Sequence, residues 1–534
     1  MANTAAGAAS GTGESGALHR VIGWKDAFWV ASGVPALVLF SIGGIAATVG
    51  TPSVLVWTLS VLFGFIQAFT YAEIAGLFPT KSGGASVYGA AAWVRYSRII
   101  APLSVWCNWL AWTPVLAIGC GIAAGYILTA LFPADAAIRT WSIQLVDLHF
   151  LKDGLALRLD STFFIGAVLM LISFGIQHRG IMSTAKVQTI VGASVLIPLL
   201  IIGIVPLITG DVAMDAFQPF APGTDVASAA WDKAGWSLFF GGLFIAAWSA
   251  YAFETAICYT SEFRDPATDT YKAILYSGLL CIAVYTLVPL SFQGALGLAG
   301  VMAPGIVDGS GVAQAMAAMV GGGAVVTNLL VVMLLLALML AITTAMAGSA
   351  RTLSQGSVDG WLPRYLSRVN SHGAPTSGMG TDLCFNLILL MMSDYLFVLA
   401  VSNVCYLVFN FLNLNSGWIH RIDNAHVKRP WKAPTLLLGT GVVLGFVNAF
   451  LLGAGANIWG SGTLIAGAIA IAIIIPVFVF RHYIQDGGVF PPQMLEDLSV
   501  DGTTISKPKA GILPYVALAG GVLSATIGYM IFWG

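Results

Sequence analysis

The chain has 534 residues, of which 58% are hydrophobic and only 9% are charged. Soluble domains carry about 25% charged residues, so this composition excludes an ordinary globular protein. The formal net charge of −1 gives no electrostatic reason to expect a nucleic-acid partner.

About thirteen apolar stretches of roughly 17–32 residues follow one another along the chain, and such lengths are typical of helices that cross a bilayer. The predicted spans are 27–47, 53–78, 101–132, 160–177, 187–208, 235–259, 273–298, 322–349, 380–396, 398–417, 434–454, 460–480 and 511–533. Residues 1–26 precede them as a tail, rich in Gly and Ser, that we expect to be cytoplasmic and disordered. The sequence therefore predicts an all-α polytopic membrane protein with about 12–13 spans and the lipid bilayer as its surroundings.

Basic residues are distributed unevenly over the predicted loops. With a cytoplasmic N-terminus, all but four of the 23 Lys and Arg residues lie in the tail or in cytoplasmic loops. The four exceptions are Arg139, Lys152, Arg158 and Lys233. This is the positive-inside pattern, and it predicts an integral protein of the cytoplasmic (plasma) membrane with its N-terminus inside.

The first predicted span has two weak points. Gly43-Gly44 lies in its second half, and glycine costs about 1 kcal/mol in a helix interior. The pair indicates either close contact with another helix or an unwound hinge whose main-chain groups bind a ligand. The second weak point is Ser32-Gly33-Val34-Pro35, where Pro35 removes a helix hydrogen bond and a simple kink is the plainest interpretation.

The sixth predicted span places a carboxylate, Glu254, within an apolar run. A charged group inside a membrane is costly, so Glu254 is a candidate functional residue; the alternative is a hydrogen-bonded side chain that ties two helices together. Trp248 in the same run is either a packing residue or a gate. Two interrupted helices in matching positions of two repeats would mark the binding site of a transporter.

Residues 71–84 read Tyr-Ala-Glu-Ile-Ala-Gly-Leu-Phe-Pro-Thr-Lys-Ser-Gly-Gly, with Tyr88 just beyond. They resemble the Tyr-Ala-Glu-Leu…Pro…Ser-Gly-Gly…Tyr signature of the amino acid–polyamine–organocation (APC) superfamily of permeases. Further landmarks follow in the family's order, namely Gly180, Gln188, Glu262, Asp265, Pro266, Arg351, 359–363, 368–370, Pro375 and 429–431.

The resemblance implies a leucine-transporter-type fold of two inverted five-helix repeats, with substrate held between helices 1 and 6. The repeats would be 27–208 and 235–417, followed by helices 11 and 12 at 434–480 and a further span at 511–533. The expected substrate-binding residues are Ile42, Gly43, Gly44, Ile45, Trp248, Ser249, Tyr251 and Ala252. Ile42 and Ala252 depart from the family pattern, which has glycine at both places.

The expected function is secondary transport of an amino acid by alternating access, most simply a neutral one. The alternatives are a cationic amine or polyamine carrier or antiporter and, further off, a channel or a membrane enzyme. Motifs such as HExxH and GxSxG are absent from the sequence, so we expect no enzyme, and none of the six cysteines has metal-ligand spacing, so we expect no metal or cofactor. Glu254, Thr343 and Thr344 are the candidates for coupling transport to H⁺ or Na⁺.

Overall fold

The computed structural model describes residues 22–31, 34–179, 181–225, 227–498 and 508–534. Within these residues, 11 helical segments are long and apolar enough to cross a membrane, including the last one, Leu513–Trp533. This confirms a helical polytopic bundle. Most of the predicted tail, as well as Ser32, Gly33 and Gly180, lies outside the described residues.

We number the spans in chain order. Spans 2 to 5 are Ser53–Ala75, Ile100–Leu131, Ser161–His178 and Ile181–Thr209; spans 6 to 8 are Lys233–Glu262, Pro266–Val301 and Ala324–Val358; spans 10 to 13 are Tyr395–Asp423, Thr435–Trp459, Thr463–Gln485 and Leu513–Trp533. Shorter helices in the connections are Ala85–Trp93, Ala137–Thr140, Met214–Phe217, Pro304–Val307, Val312–Met319, Arg364–Ser367 and Pro492–Leu498.

Two of the predicted spans differ in the structure. Span 1 consists of an α-helix at Trp24–Ala31, a 3₁₀ turn at Val34–Leu37 and an α-helix at Val38–Val49. Pro35 accounts for this interruption, because it lacks the N–H that a continuous helix needs. Span 9 is Thr376–Leu389, only 14 residues, and ends well before the predicted residue 396.

A small hairpin was not predicted. Strand β1 (Ser142–Asp147) pairs antiparallel with strand β2 (Ala156–Asp160) in the connection between spans 3 and 4. The residues of β1 are all exposed, so this connection lies on the surface of the bundle. Apart from this hairpin, the described spans and their connections are helical or irregular.

The interruption of span 1 lies inside the bundle. The turn Val34–Leu37 contacts spans 5, 6, 7 and 8, and the side chain of Leu37 is buried. Spans 3 and 10 pack against one another, and span 10 also contacts span 6. The interruption is therefore buried in the bundle and contacts span 6, with which, in the resemblance, span 1 holds the substrate.

One end of the bundle, which we call the basic end, carries several ion pairs with little exposure, three of which involve residues of the family landmarks. Arg351 Nε lies 2.5 Å from Glu262 Oε1, and Lys81 Nζ lies 2.6 Å from Asp359 Oδ1. Arg421 Nη2 lies 2.6 Å from an oxygen of Glu73, the acid of the signature in span 2. The landmark residues Glu73, Lys81, Glu262, Arg351 and Asp359 thus take part in ion pairs at this end.

Candidate substrate site

Span 6 changes its helix type at Tyr251. The α-helix Lys233–Ala250 ends there, and Ala252–Glu262 continues in 3₁₀ geometry with a kink at Tyr259, where φ is −103° and ψ is 15°. No described residue other than glycine has a positive φ, so the change needs no glycine at 252, where the family has one. The Ser249 carbonyl, released at the end of the α-helix, accepts a hydrogen bond of 3.0 Å from Tyr285 Oη.

A small cavity lies between the interruptions of spans 1 and 6. Its lining residues are Leu37 from span 1, Trp112 and Val115 from span 3, Thr255 from span 6, and Ala341, Thr344 and Ala345 from span 8. It has room for about one water molecule. An amino acid would therefore enter only if the surrounding helices moved apart.

Glu254 lies beside this cavity and is bound to two aromatic side chains. Trp112 Nε1 and Tyr406 Oη each donate a hydrogen bond of 3.3 Å to Glu254 Oε1. The rings of Trp112 and Tyr406 meet edge to face, with centroids 5.4 Å apart. Glu254 thus ties span 6 to spans 3 and 10, as the helix-bracing interpretation expects, and its neighbour Thr255 and its partner Trp112 both line the cavity.

Trp248 is fully enclosed and makes specific polar contacts. Its Nε1 donates to the Ala111 carbonyl at 2.9 Å and to Ser402 Oγ at 2.8 Å. Its ring centroid lies 6.4 Å from that of Trp112. The indole therefore joins span 6 to spans 3 and 10 at the side of the cavity, a position compatible with a gate as well as with packing.

Of the two interpretations of Gly43-Gly44, the local structure agrees with close packing and not with an unwound hinge. Residues Val38–Val49 form a continuous α-helix, and span 1 is interrupted at the Pro35 turn instead. A Cβ on Gly43 would lie 2.6 Å from the Ile306 carbonyl carbon, so this glycine permits close packing on the short helix Pro304–Val307. Ile42 and Ile45 are buried with it. The structure does not bring these four residues to the cavity lining.

The remaining predicted site residues have different surroundings. Thr344 lines the cavity. Thr343 Oγ1 bonds back to the Met339 carbonyl at 2.8 Å, and Ser249 Oγ bonds back to the Ala246 carbonyl at 3.4 Å. Tyr251 Oη donates to Asn448 Oδ1 at 3.2 Å and so faces span 11.

The segment before span 1 is joined to the end of span 6 at the basic end. Ile22 N donates to the Glu262 carbonyl at 3.1 Å, and Arg264 N donates to the Ile22 carbonyl at 2.8 Å. Glu262 is at the same time the partner of Arg351 on span 8. We call this arrangement of Ile22, Glu262, Arg264 and Arg351 the basic-end lock.

Sequence reasoning missed Trp112 and Tyr406, which hold Glu254. A signal was present in span 3, where Trp106, Trp109 and Trp112 recur at helical spacing and face one side. Buried indole N–H groups need acceptors, so such a row predicts carboxylates or free carbonyls opposite. Tyr406 gave no comparable signal, because an isolated tyrosine in a long apolar helix is common at packing positions.

Comparison with known proteins agrees with this architecture. The sequence profile of the family described as "Amino acid permease" matches residues 22–480. The chain is also similar to the polyamine transporter PUT1 of Oryza sativa subsp. japonica, with 23% identity over 427 residues, 77% of this chain and 68% of that protein. The chain therefore belongs to the amino acid permease family of the APC superfamily and is an integral membrane transporter, not an enzyme.

Proposed function

We propose that the protein carries a small amino acid, most simply a neutral one, across the plasma membrane by alternating access. The observation that supports this most directly is the cavity between the two interrupted spans, lined by Leu37, Trp112, Thr255 and Thr344. Interrupted helices offer main-chain donors and acceptors that satisfy a carboxylate and an ammonium group without charged side chains.

The Pro35 turn replaces Gly43-Gly44 as the proposed main-chain site in span 1. Residues Val34–Leu37 are in 3₁₀ geometry, whose hydrogen bonds are poorer than those of an α-helix and are more readily exchanged for a ligand. The same holds for Ala252–Glu262 in span 6. A zwitterion between them would contact two adaptable stretches of main chain.

A cationic amine or polyamine is the second candidate. Glu254 lies among Trp112, Trp248 and Tyr406, and an acid surrounded by aromatic rings is suited to an ammonium group through ion pairing and cation–π contact. The similarity to a protein described as a polyamine transporter favours the same candidate. A single carboxylate beside a small cavity favours one amino group rather than several.

Alternating access requires the helices around the cavity to move apart and the basic-end lock to open. The basic-end lock joins the start of span 1, span 6 and span 8, and the cavity must widen before substrate fits. We propose that release of this lock opens the site to the cytoplasm, with the N-terminus on that side, and that 27–208 and 235–417 are the inverted repeats. Glu254, Thr343 and Thr344 remain proposed coupling residues, for H⁺ or Na⁺.

The test is counterflow in proteoliposomes that hold the full chain. Labelled L-alanine, L-leucine, L-arginine, putrescine and spermidine are offered outside against the same unlabelled compound inside. Counterflow of a neutral amino acid supports the first candidate, and counterflow of amines alone supports the second. If no amino acid and no amine of a complete set shows counterflow, the proposal is refuted.

Glu254→Gln separates the two candidates further, with Asp225→Asn, a loss of an exposed acid in the connection before span 6, as its control. If the ammonium group pairs with Glu254, removing the charge weakens amine uptake by at least about tenfold. A tenfold loss corresponds to about 1.4 kcal/mol of binding free energy. Uptake of a neutral amino acid held by main-chain groups falls less. Asp225→Asn leaves both unchanged.

A further inference from the structure

Another buried carboxylate, Asp382, lies behind the candidate site. Asp382 on span 9 has no exposed surface. Trp109 Nε1 donates to its Oδ1 at 2.6 Å, Thr113 Oγ1 donates to the same oxygen at 3.0 Å, and Ser349 Oγ donates to its Oδ2 at 2.6 Å. Spans 3, 8 and 9 therefore meet on one acid.

The three donors are neutral, and no ion pair of Asp382 exists among the described residues. The charged or titratable groups on the elements packed against span 9 are Arg351 on span 8, Arg364 and Tyr365 in the next short helix, His178 on span 4, and Cys107, Cys120 and Tyr126 on span 3. Arg351 is bound to Glu262, Arg364 to Asp486 and Tyr365 to Thr381. An ionised Asp382 would thus be a buried charge without a counter-charge, which only its hydrogen bonds offset.

The hydrogen-bond network accommodates both protonation states. In the ionised state Ser349 donates to Asp382. In the protonated state Asp382 Oδ2 carries the hydrogen and donates to Ser349 Oγ, while the serine hydroxyl turns to the Met346 carbonyl, 3.4 Å away. Trp109 and Thr113 continue to donate to Oδ1 in either state, so gain or loss of a proton leaves no polar group of this network unpaired.

The same donors argue for a proton rather than a metal ion. The indole N–H of Trp109 occupies one face of Oδ1, and Asn386 Nδ2 donates to Thr113 Oγ1 at 2.6 Å. A Na⁺ ion at Oδ1 would face these N–H groups, whose positive ends repel it. A proton needs no further ligands.

The acid is connected to the candidate substrate site along two helices. Trp109 lies one turn before Trp112, which lines the cavity and donates to Glu254. Ser349 lies one turn after Ala345, which lines the same cavity. A change in the hydrogen bonds of Asp382 therefore acts on the two helices that must separate to admit substrate.

We propose that Asp382 is a proton-binding site, and that its gain and loss of one proton couple transport to a pH gradient. The inference rests on the proposed transport function. The proton is taken from water on one side of the membrane and returned to water on the other, with no other bond made or broken. In this proposal Asp382, rather than Glu254, carries the coupling proton: Glu254 contacts substrate, and Asp382 is a positioning residue that acts through spans 3 and 8.

The first test needs no substrate. Infrared difference spectra of proteoliposomes are recorded against pH, and a protonated carboxylic acid is followed by its carbonyl band. We expect a band that disappears as the pH rises in the wild type and in Glu254→Gln, and that is missing in Asp382→Asn. Asp382→Asn spectra that titrate as in the wild type would overturn the proposal.

The second test uses the compound that shows counterflow. Asp382→Asn mimics the protonated acid, because its amide donates to Ser349 while its oxygen still accepts. Counterflow should stay within about threefold of the wild type, while the acceleration of uptake by an imposed pH gradient should be lost. Asp225→Asn is the control and keeps both. Gradient-driven uptake that survives in Asp382→Asn, or is lost only in Glu254→Gln, contradicts the assignment.

If Asp382→Asn does not fold, Ser349→Ala takes its place. Without the reversible partner, the midpoint of the infrared titration should shift, whereas an unshifted midpoint would overturn the argument. Absence of counterflow for every compound would instead refute the transport function, and the infrared result would stand independently of it.

Discussion

The ion pair of the basic-end lock offers the sharpest perturbation of the proposed cycle. The side chains of Arg351 and Glu262 are 2% and 1% exposed, and they are joined by two contacts, of 2.5 Å and 3.2 Å. Glu262→Gln leaves Arg351 as an unbalanced buried charge. Removal of one partner of such a pair costs about 3–5 kcal/mol, and opening of the lock to water relieves that cost.

A cysteine beside the lock reports its opening. Cys258 is buried, and its Sγ lies 3.7 Å from where a Cβ on Gly348, one turn before Arg351, would be. The labelling is measured in a Cys384→Ser background, which removes the exposed cysteine. We expect Glu262→Gln to raise the rate of maleimide labelling at Cys258 by at least about a hundredfold. The reason is that the cost of about 3–5 kcal/mol favours opening, and each 1.4 kcal/mol is a factor of ten. The rate is measured on purified protein by mass spectrometry.

The matched control is Arg364→Ala, which breaks an ion pair with Asp486 at the same end of the bundle. Arg364 is 62% exposed, and an exposed pair contributes about 0–1 kcal/mol, so labelling should change less than about fivefold. If Glu262→Gln and the wild type are labelled at the same rate, the ion pair does not hold the basic end closed.

Two further substitutions test individual contacts. Trp248→Phe keeps an aromatic ring but loses both hydrogen bonds of the indole, and uptake should fall at least about tenfold, about 1.4 kcal/mol, with a melting temperature close to that of the wild type. Normal uptake with a collapsed melting temperature would make Trp248 a packing residue. Gly43→Ala places a methyl group against the Ile306 main chain and should destabilise the protein by about 1–3 kcal/mol, seen as a lower melting temperature. Gly439→Ala has open space around its Cβ and should be neutral or slightly stabilising; equal behaviour of the two variants would contradict the packing of span 1 on Pro304–Val307.

Hydrophobic periodicity and composition predicted the helix bundle well, because each helix that crosses a bilayer needs a long apolar run in the sequence. Leu513–Trp533 was expected from such a run and is long and apolar enough to span. The short span 9 was misplaced because apolar residues continue through the turn before Tyr395, and hydropathy does not mark a turn.

The position of the helix interruption was harder to predict. Gly43-Gly44 and the Pro35 segment are both weak points, and the sequence alone does not reveal what packs against each. Gly43 packs against the main chain of Ile306 and Gly44 faces the side chain of Leu396, both far away in sequence, whereas Pro35 removes a hydrogen bond from any helix interior. Glu254 was found because a membrane acid is rare; Trp112 and Tyr406 escaped because their role depends on a partner in another helix.

The proposed substrate position is tested most directly by filling the cavity. Ala345 lines it from span 8, and Ala345→Leu adds three carbons to a space with room for about one water molecule. Gly175→Leu on span 4, where nothing lies within 4 Å of the Cβ, is the control. Equilibrium binding to purified protein is measured with the labelled compound that shows counterflow. We predict that Ala345→Leu abolishes binding while Gly175→Leu binds as the wild type does; equal affinity of both variants would place the substrate elsewhere.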